Sequence, residues 1–238
     1  MATIKYKERF NKNFFEITAW QQKKLILGID EAGRGCMAGP LVCGAAILHP
    51  QAHHPLLKDS KLLTPQEREK AFAWITRHAW YQYTVIAPHI IDTHNIYQAT
   101  LKGMERAYTQ LVTQVKQPIY QVLVDAMPLS LKGPDSPDVI YFNHAEQKST
   151  SVAAASIVAK VMRDAIMQAI DPLFPSYALA SHKGYCTAAH RLLVANHGPS
   201  LTHRTSYLKP QMFAAGITDQ LSLITLENNE EIKNESIR

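Results

Sequence analysis

The stretch LILGIDEAGRGCMAGPLVCGAAIL, residues 25–48, decides how the chain is read. Two short apolar runs flank a glycine-rich turn, so they are predicted to be adjacent strands, Leu25–Asp30 and Leu41–Leu48, joined through AGRGCMAGP. A buried strand that ends on neighbouring carboxylates, Asp30 and Glu31, puts charge where burial is costly, and something positive must compensate. Strand side chains alternate faces, so both acids can serve one centre only if the backbone bends there; Gly33 and Gly35 supply that freedom. Taken alone, the pair reads equally well as two solvated acids at a turn.

A second source of carboxylate lies far downstream. Ile119–Val124 is an unbroken apolar run of the kind buried on both faces of a sheet, and it ends at Asp125. In open α/β sheets the strand ends gather at functional crevices. Three hard oxygen donors from two strands suit Mg2+ or Mn2+, and Mg2+ keeps several waters and commonly shares a substrate phosphate.

The remaining elements alternate in α/β fashion. Thr64-Pro65-Gln66-Glu67 reads as a capping box opening a helix, with Phe72, Ile75 and Ala79 at helical spacing. A strand is predicted over Tyr81–Ile86 and a long helix over Asn95–Lys116, with Met104, Ala107, Leu111 and Val115 along its inner stripe and Pro118 as its stop. A proline-rich loop (126–137), a strand (Val139–Phe142), an interior helix (Ser151–Ile170) and a short helix (Cys186–Asn196) closed by Gly198 follow.

Composition bounds the function. With 238 residues, 46% hydrophobic and 19% charged, the chain can bury on the order of 70% of its unfolded surface, which excludes a disordered or fibrous protein. One compact domain with appendages is expected. A net charge of +5 permits a polyanionic partner without requiring one. Three cysteines, Cys36, Cys43 and Cys186, argue against a disulfide framework or zinc ribbon and for a reducing compartment. No signal-peptide core or spanning stretch of about 20 apolar residues is found, so a cytoplasmic protein with no membrane partner is expected. His49, His53 and His54 lack companions at ligand spacing and read as loop residues rather than a zinc site.

Five segments resemble type 2 ribonuclease H, the ribonuclease HII family, in the family's order: GIDEAGRGCMAGPLV, DSKLLTPQERE, NIYQATLKGMERA, then VDA with SVAAASIVAKVMRD, and HKGYCTAAHRLL with HGPSLTHRTSY. The resemblance covers roughly Leu25–Tyr207; with only some two dozen residues before the acidic strand, the HII type is expected rather than HIII, which carries an extra N-terminal domain. It implies an α/β, RNase H-like fold: a mixed five-stranded sheet flanked by helices, with a small C-terminal helical part. The expected organisation is an N-terminal extension (1–22), a catalytic domain including that helical part (23–207) and a tail (208–238), acting as a monomer.

The resemblance further implies hydrolysis of the RNA strand of RNA/DNA hybrids and incision 5′ of ribonucleotides embedded in duplex DNA, leaving 3′-hydroxyl and 5′-phosphate ends, with Mn2+ or Mg2+ as cofactor. Asp30, Glu31 and Asp125 match three of the family's four catalytic, metal-binding acids. Glu146, in His144-Ala145-Glu146, matches the fourth, where the family usually has Asp; the added methylene shifts the carboxylate by roughly 1.5 Å. Asp164 is read instead as a structural ion pair or hydrogen-bond acceptor. Gly33-Arg34-Gly35 resembles the family motif that approaches the minor groove and a phosphate, and Tyr185 the tyrosine that contacts the ribose 2′-OH. Lys61, Lys148, Lys183 and Arg204 are candidate phosphate contacts by their places in these motifs. Cys36, Met37 and Cys186 depart from the residues usual at their positions. The acids alone leave open another nuclease with the same core, and the Glu146 departure a weakly catalytic hybrid-binding module.

Overall fold

The computed structural model describes residues 12–133 and 136–208; the expected tail after Leu208 and the first half of the expected N-terminal extension lie outside the described residues. The chain divides into two compact units, Met1–Arg34 with Pro40–Ile166, and Gly35–Gly39 with Met167–Arg238.

The first unit holds a five-stranded sheet made of β1 (Leu25–Ala32), β2 (Leu41–Leu48), β3 (Ala79–Ile86), β4 (Ile119–Asp125) and β5 (Asp138–Phe142). The strand order is β3-β2-β1-β4-β5, with β2 antiparallel to β1 and β3, and β4 parallel to β1 and β5. This is the mixed sheet expected. All of β2 is buried, and all of β1 except Glu31, as in a strand covered on both faces.

Helix α1 (Phe14–Gln21) precedes the sheet, α2 (Pro65–His78) joins β2 to β3, α3 (Pro88–Val112) follows β3, and α4 (Thr150–Ile170) follows β5. The capping box of α2 closes in both directions: the Glu67 amide donates to Thr64 Oγ1 at 3.2 Å and the Thr64 amide to Glu67 Oε2 at 2.8 Å. Ala79, expected on the helix stripe, is instead the first residue of β3.

Helix α3 begins seven residues before the expected start and ends at Val112 rather than Lys116. Asn95 has φ 61° and ψ 163°, and its Oδ1 accepts from the Gln98 amide at 3.0 Å. Asn95 therefore caps a second helical segment after a kink, which is why the regular apolar stripe starts there. Met104, Ala107 and Leu111 of that stripe are fully buried.

Helix α4 lies directly on the sheet. A Cβ on Gly28 would stand 2.2 Å from the Val152 nitrogen, and one on Gly44 2.4 Å from the Ala155 oxygen. Ala153, Ala154, Ala155, Ile157 and Val158 pack there with Ala46, Leu48, Ala71 and Ile75.

Helix α1 falls in the segment read only as an extension. Phe15 and Ala19 pack against Ile26, Leu123 and Val152. The inward position between them is Glu16, while the apolar Phe14 and Ile17 face out, so no apolar stripe announces the helix. Glu16 Oε1 accepts from Ser149 Oγ at 2.5 Å and from the Ser151 amide at 2.9 Å, capping α4 from a distant part of the chain. Glu16→Ala would leave both donors without this acceptor and should cost about 1–3 kcal/mol, read as a lower urea midpoint. Glu16→Gln, which keeps an accepting oxygen, should lose less.

In the second unit, Gly35–Gly39 packs with helices α5 (Leu179–His182) and α6 (Ala188–His197). The Met37 amide donates to the Gly184 oxygen at 3.0 Å, Gly39 to Thr202 at 2.8 Å, and Arg204 to Met37 at 2.8 Å. Met37 joins Met167, Tyr177, Leu179 and Val194 in the core, with Cys186 against it, so the departures at 37 and 186 serve packing. Thr187 Oγ1 caps α6, which starts two residues later than expected.

Candidate active site

The β1–β4 register pairs Ile29 with Val124, which sets Asp30 and Asp125 level on neighbouring strands about 4.8 Å apart and on the same face. Glu31 is the next residue of β1, opposite Cys43 of β2. The chain leaves β5 at Phe142, itself paired with Asp125, and turns back through the left-handed residue His144. The Ala145 amide then donates to Asp125 Oδ1 at 3.0 Å, which returns Glu146 to the strand end. All four expected acids thus lie at the ends of β1, β4 and β5.

Burial sets their electrostatics. Asp30 is 7% and Glu146 5% exposed. Burial, then the charges of Glu31 and Asp125, pushes Asp30 well above the usual carboxylate range, against hydrogen bonds from the Glu31 amide (2.7 Å) and from Ser156 of α4. Glu31 is raised by burial to about 7, with Arg34 opposing and Asp125 adding to the rise. Glu146 is raised by burial and further by Asp125. Glu31 Oε2 and Glu146 Oε2 are buried with no hydrogen-bond partner. Among the described residues no three His, Cys, Asp or Glu side chains enclose a point as a protein-built metal cage does. An open row of carboxylates with two unpartnered oxygens fits a hard cation that takes its remaining oxygens from water and a phosphate.

The positive counterpart that the buried acids require is present in the same unit. Arg34 Nη1 lies 3.5 Å from Glu31 Oε1. Burial alone would lower the Lys61 ammonium, but Asp59, then Asp30, Glu146 and Asp125, raise it above its usual value. Lys148 ends the short turn that carries Glu146. Gly33, at φ 95°, lies against Arg163, whose Nε a Cβ there would approach to 2.0 Å. Arg163 is fully buried and its Nε donates to the Pro40 oxygen at 2.9 Å, so it braces the turn from below. Nothing in the sequence distinguishes this buried arginine from a surface one. Asp164 pairs with Lys160 at 2.7 Å, a structural ion pair as expected.

In the second unit, Tyr185 is 41% exposed and follows Gly184 at φ 79°. A Cβ on Gly35 would meet nothing within 4 Å. Lys183 Nζ donates to the Ala180 oxygen at 2.6 Å. Arg204 requires a correction: it is fully buried, its Nε and Nη2 donate to the Gly39 oxygen at 3.1 and 3.0 Å, and its guanidinium lies over the Tyr207 ring. A guanidinium with no exposed surface holds the 35–39 segment rather than a phosphate. His49 and His54 pack on Trp80 and Trp74 in the first unit, as loop residues.

Carboxylates at the ends of adjoining strands of a mixed sheet define the RNase H-like class of nuclease. Residues 27–209 match the family model for ribonuclease HII. The chain is 43% identical over 182 residues to a ribonuclease HII of Pseudothermotoga lettingae, covering 76% of each, and 41% identical over 189 residues to one of Syntrophotalea carbinolica, covering 79% of this chain and 87% of the relative. The crystal structure of ribonuclease H2 from Pyrococcus horikoshii superposes with a TM-score of 0.64 at 25% identity, over 81% of this chain and 98% of that one. The chain belongs to the ribonuclease HII family, hydrolytic endoribonucleases acting on RNA/DNA hybrids.

Proposed function

We propose that this enzyme hydrolyses the RNA strand of hybrids and incises 5′ of single ribonucleotides in duplex DNA, leaving 3′-hydroxyl and 5′-phosphate ends. The supporting observation is the buried acid row with two unpartnered oxygens. Asp30, Glu31, Asp125 and Glu146 would hold Mg2+ or Mn2+, which when bound would supply activation of a water and stabilisation of the leaving 3′-oxygen. The Ala145 amide fixes Asp125, and Ser156 and the Glu31 amide fix Asp30. Lys61, Lys148, Arg34 and Lys183 meet phosphates, and the backbone of Gly33 and Gly35 approaches the ribose. Tyr185 reads the 2′-OH. That none of Cys36, Cys43 and Cys186 is in a disulfide suits a cytoplasmic protein, and the enzyme acts as a monomer; among the described residues no helix is long and apolar enough to cross a membrane.

A gel assay of three duplexes, an RNA/DNA hybrid, DNA with one ribonucleotide and all-DNA, tests this with each metal. The first two should be cut and the third spared. Failure to incise the single-ribonucleotide duplex with either ion overturns the reading. Tyr185→Phe should lower that incision about tenfold, the worth of one hydrogen bond.

A raised carboxylate binds more protons folded than unfolded, so without metal the contribution of Glu31 to stability falls as pH rises from about 4.5 to about 7. A cation competes with that proton. The rise in melting temperature on adding Mg2+ or Mn2+ should therefore be larger at pH 8 than at pH 6; a rise independent of pH would remove Glu31 from the metal site.

A further inference from the structure

Three histidines of the second unit, His182, His190 and His203, form a connected chain that the acid chemistry does not use. His182 Nε2 lies 2.7 Å from the Tyr177 oxygen, and its Nδ1 lies 3.1 Å from the Gly184 amide. A carbonyl only accepts and an amide only donates, so Nε2 carries the proton and Nδ1 is bare. His190 Nδ1 lies 2.9 Å from the Tyr185 oxygen and must donate to it. His203 Nδ1 accepts from the Ser200 amide at 3.0 Å, so its Nε2 carries the proton and donates across 3.1 Å to His190 Nε2. The rings of His182 and His190 stack at 3.8 Å, and Tyr177 packs on His203 at 5.0 Å. Every ring nitrogen is matched in a neutral tautomer, and an added proton would face a donor at each bare one.

The outputs of the chain are the peptide groups on both sides of one side chain. His182 holds the Gly184 amide, His190 holds the Tyr185 oxygen, and the Tyr185 amide donates to the His182 oxygen at 2.9 Å. Tyr185 itself is partly exposed. We infer that His190 is a positioning residue for Tyr185: its Nδ1–H bond, with the ring locked by His203 and His182, fixes the turn that presents the phenol to the ribonucleotide. The inference rests on the reading of Tyr185 given above.

Burial, with His182 and His203 adding, pushes His190 down to about 4, and burial and His182 lower His203. The other titratable or charged groups next to these residues are the Tyr177 phenol, which donates to the Gly198 oxygen, His197 against the Tyr177 ring, Lys183 on the Ala180 oxygen, Arg204 on the Gly39 oxygen, and Asp171, which accepts from the Ala180 amide. None of these places a carboxylate on the His190 or His203 imidazole, so both stay neutral.

Two substitutions separate the bonds. Asn places its amide near the position of Nδ1 and can still donate to the Tyr185 oxygen; Gln places its amide near Nε2 and cannot. His190→Gln should lower kcat/KM for the single-ribonucleotide duplex about tenfold, and His190→Asn should keep most of it. In a Tyr185→Phe background the His190→Gln loss should shrink to near nothing. Equal losses for Gln and Asn, or an undiminished loss in the Tyr185→Phe background, overturn the proposal. Unchanged incision by Tyr185→Phe alone identifies the reading of Tyr185 as the failed premise. Long-range proton–nitrogen NMR of the unmodified protein tests the proposal without a variant: His190 should be neutral and Nδ1-protonated at pH 6, and an imidazolium there overturns it.

Discussion

Asp30→Asn should abolish hybrid cleavage, by about 10³-fold or more, while leaving hybrid binding nearly intact. The substitution changes charge and hardly shape. Asn Oδ1 can still accept from the Glu31 amide, so the strand end keeps its geometry. What is lost is an anion level with Asp125 and next to Glu31, where a cation is worth several kcal/mol to a developing negative charge, and each 1.36 kcal/mol is tenfold in rate. The same change should raise the melting temperature of the metal-free protein by a few degrees, because a buried carboxylate crowded by two others is relieved. Asp125→Asn should behave alike in cleavage. The checks are the gel assay with each metal, anisotropy of a labelled hybrid, and a thermal melt; undiminished turnover by either variant would refute the assignment of the acids.

Gly28→Ala should be the most damaging single methyl group in the first unit. Its Cβ would stand 2.2 Å from the Val152 nitrogen, 2.3 Å from the Ser151 carbon and 2.6 Å from the Ser151 oxygen. These are backbone atoms of α4, which cannot rotate away as a side-chain tip does, so the helix must lift from β1. A cost above about 3 kcal/mol is expected, against a total stability of about 5–15 kcal/mol. The helix begins just after the turn bearing Glu146, so whatever folds should also cleave poorly. Gly35→Ala is the control: with open space around its Cβ it should leave the urea midpoint unchanged and weaken only substrate binding. A Gly28→Ala midpoint equal to that of the unsubstituted protein would show that the sheet and helix tolerate separation.

What was legible in the sequence follows from local physics. Apolar run length, a capping box and a glycine-rich turn report on neighbouring residues, so the five strands, α2 and the inner stripe of α3 could be read directly, as could acids ending β1 and β4. Glu146 was reachable only through resemblance, since a carboxylate in a polar turn carries no local signal of its return to Asp125. Tertiary structure alone decided the rest. Glu16 is an exposed-looking acid until Ser149 and Ser151 arrive at it from far along the chain, and Arg163 and Arg204 are surface charges until Pro40 and Gly39 accept from them. Residue type sets what a group can bond, but burial and the partner it meets depend on contacts between distant segments, and these determine whether a charge faces water or holds the fold.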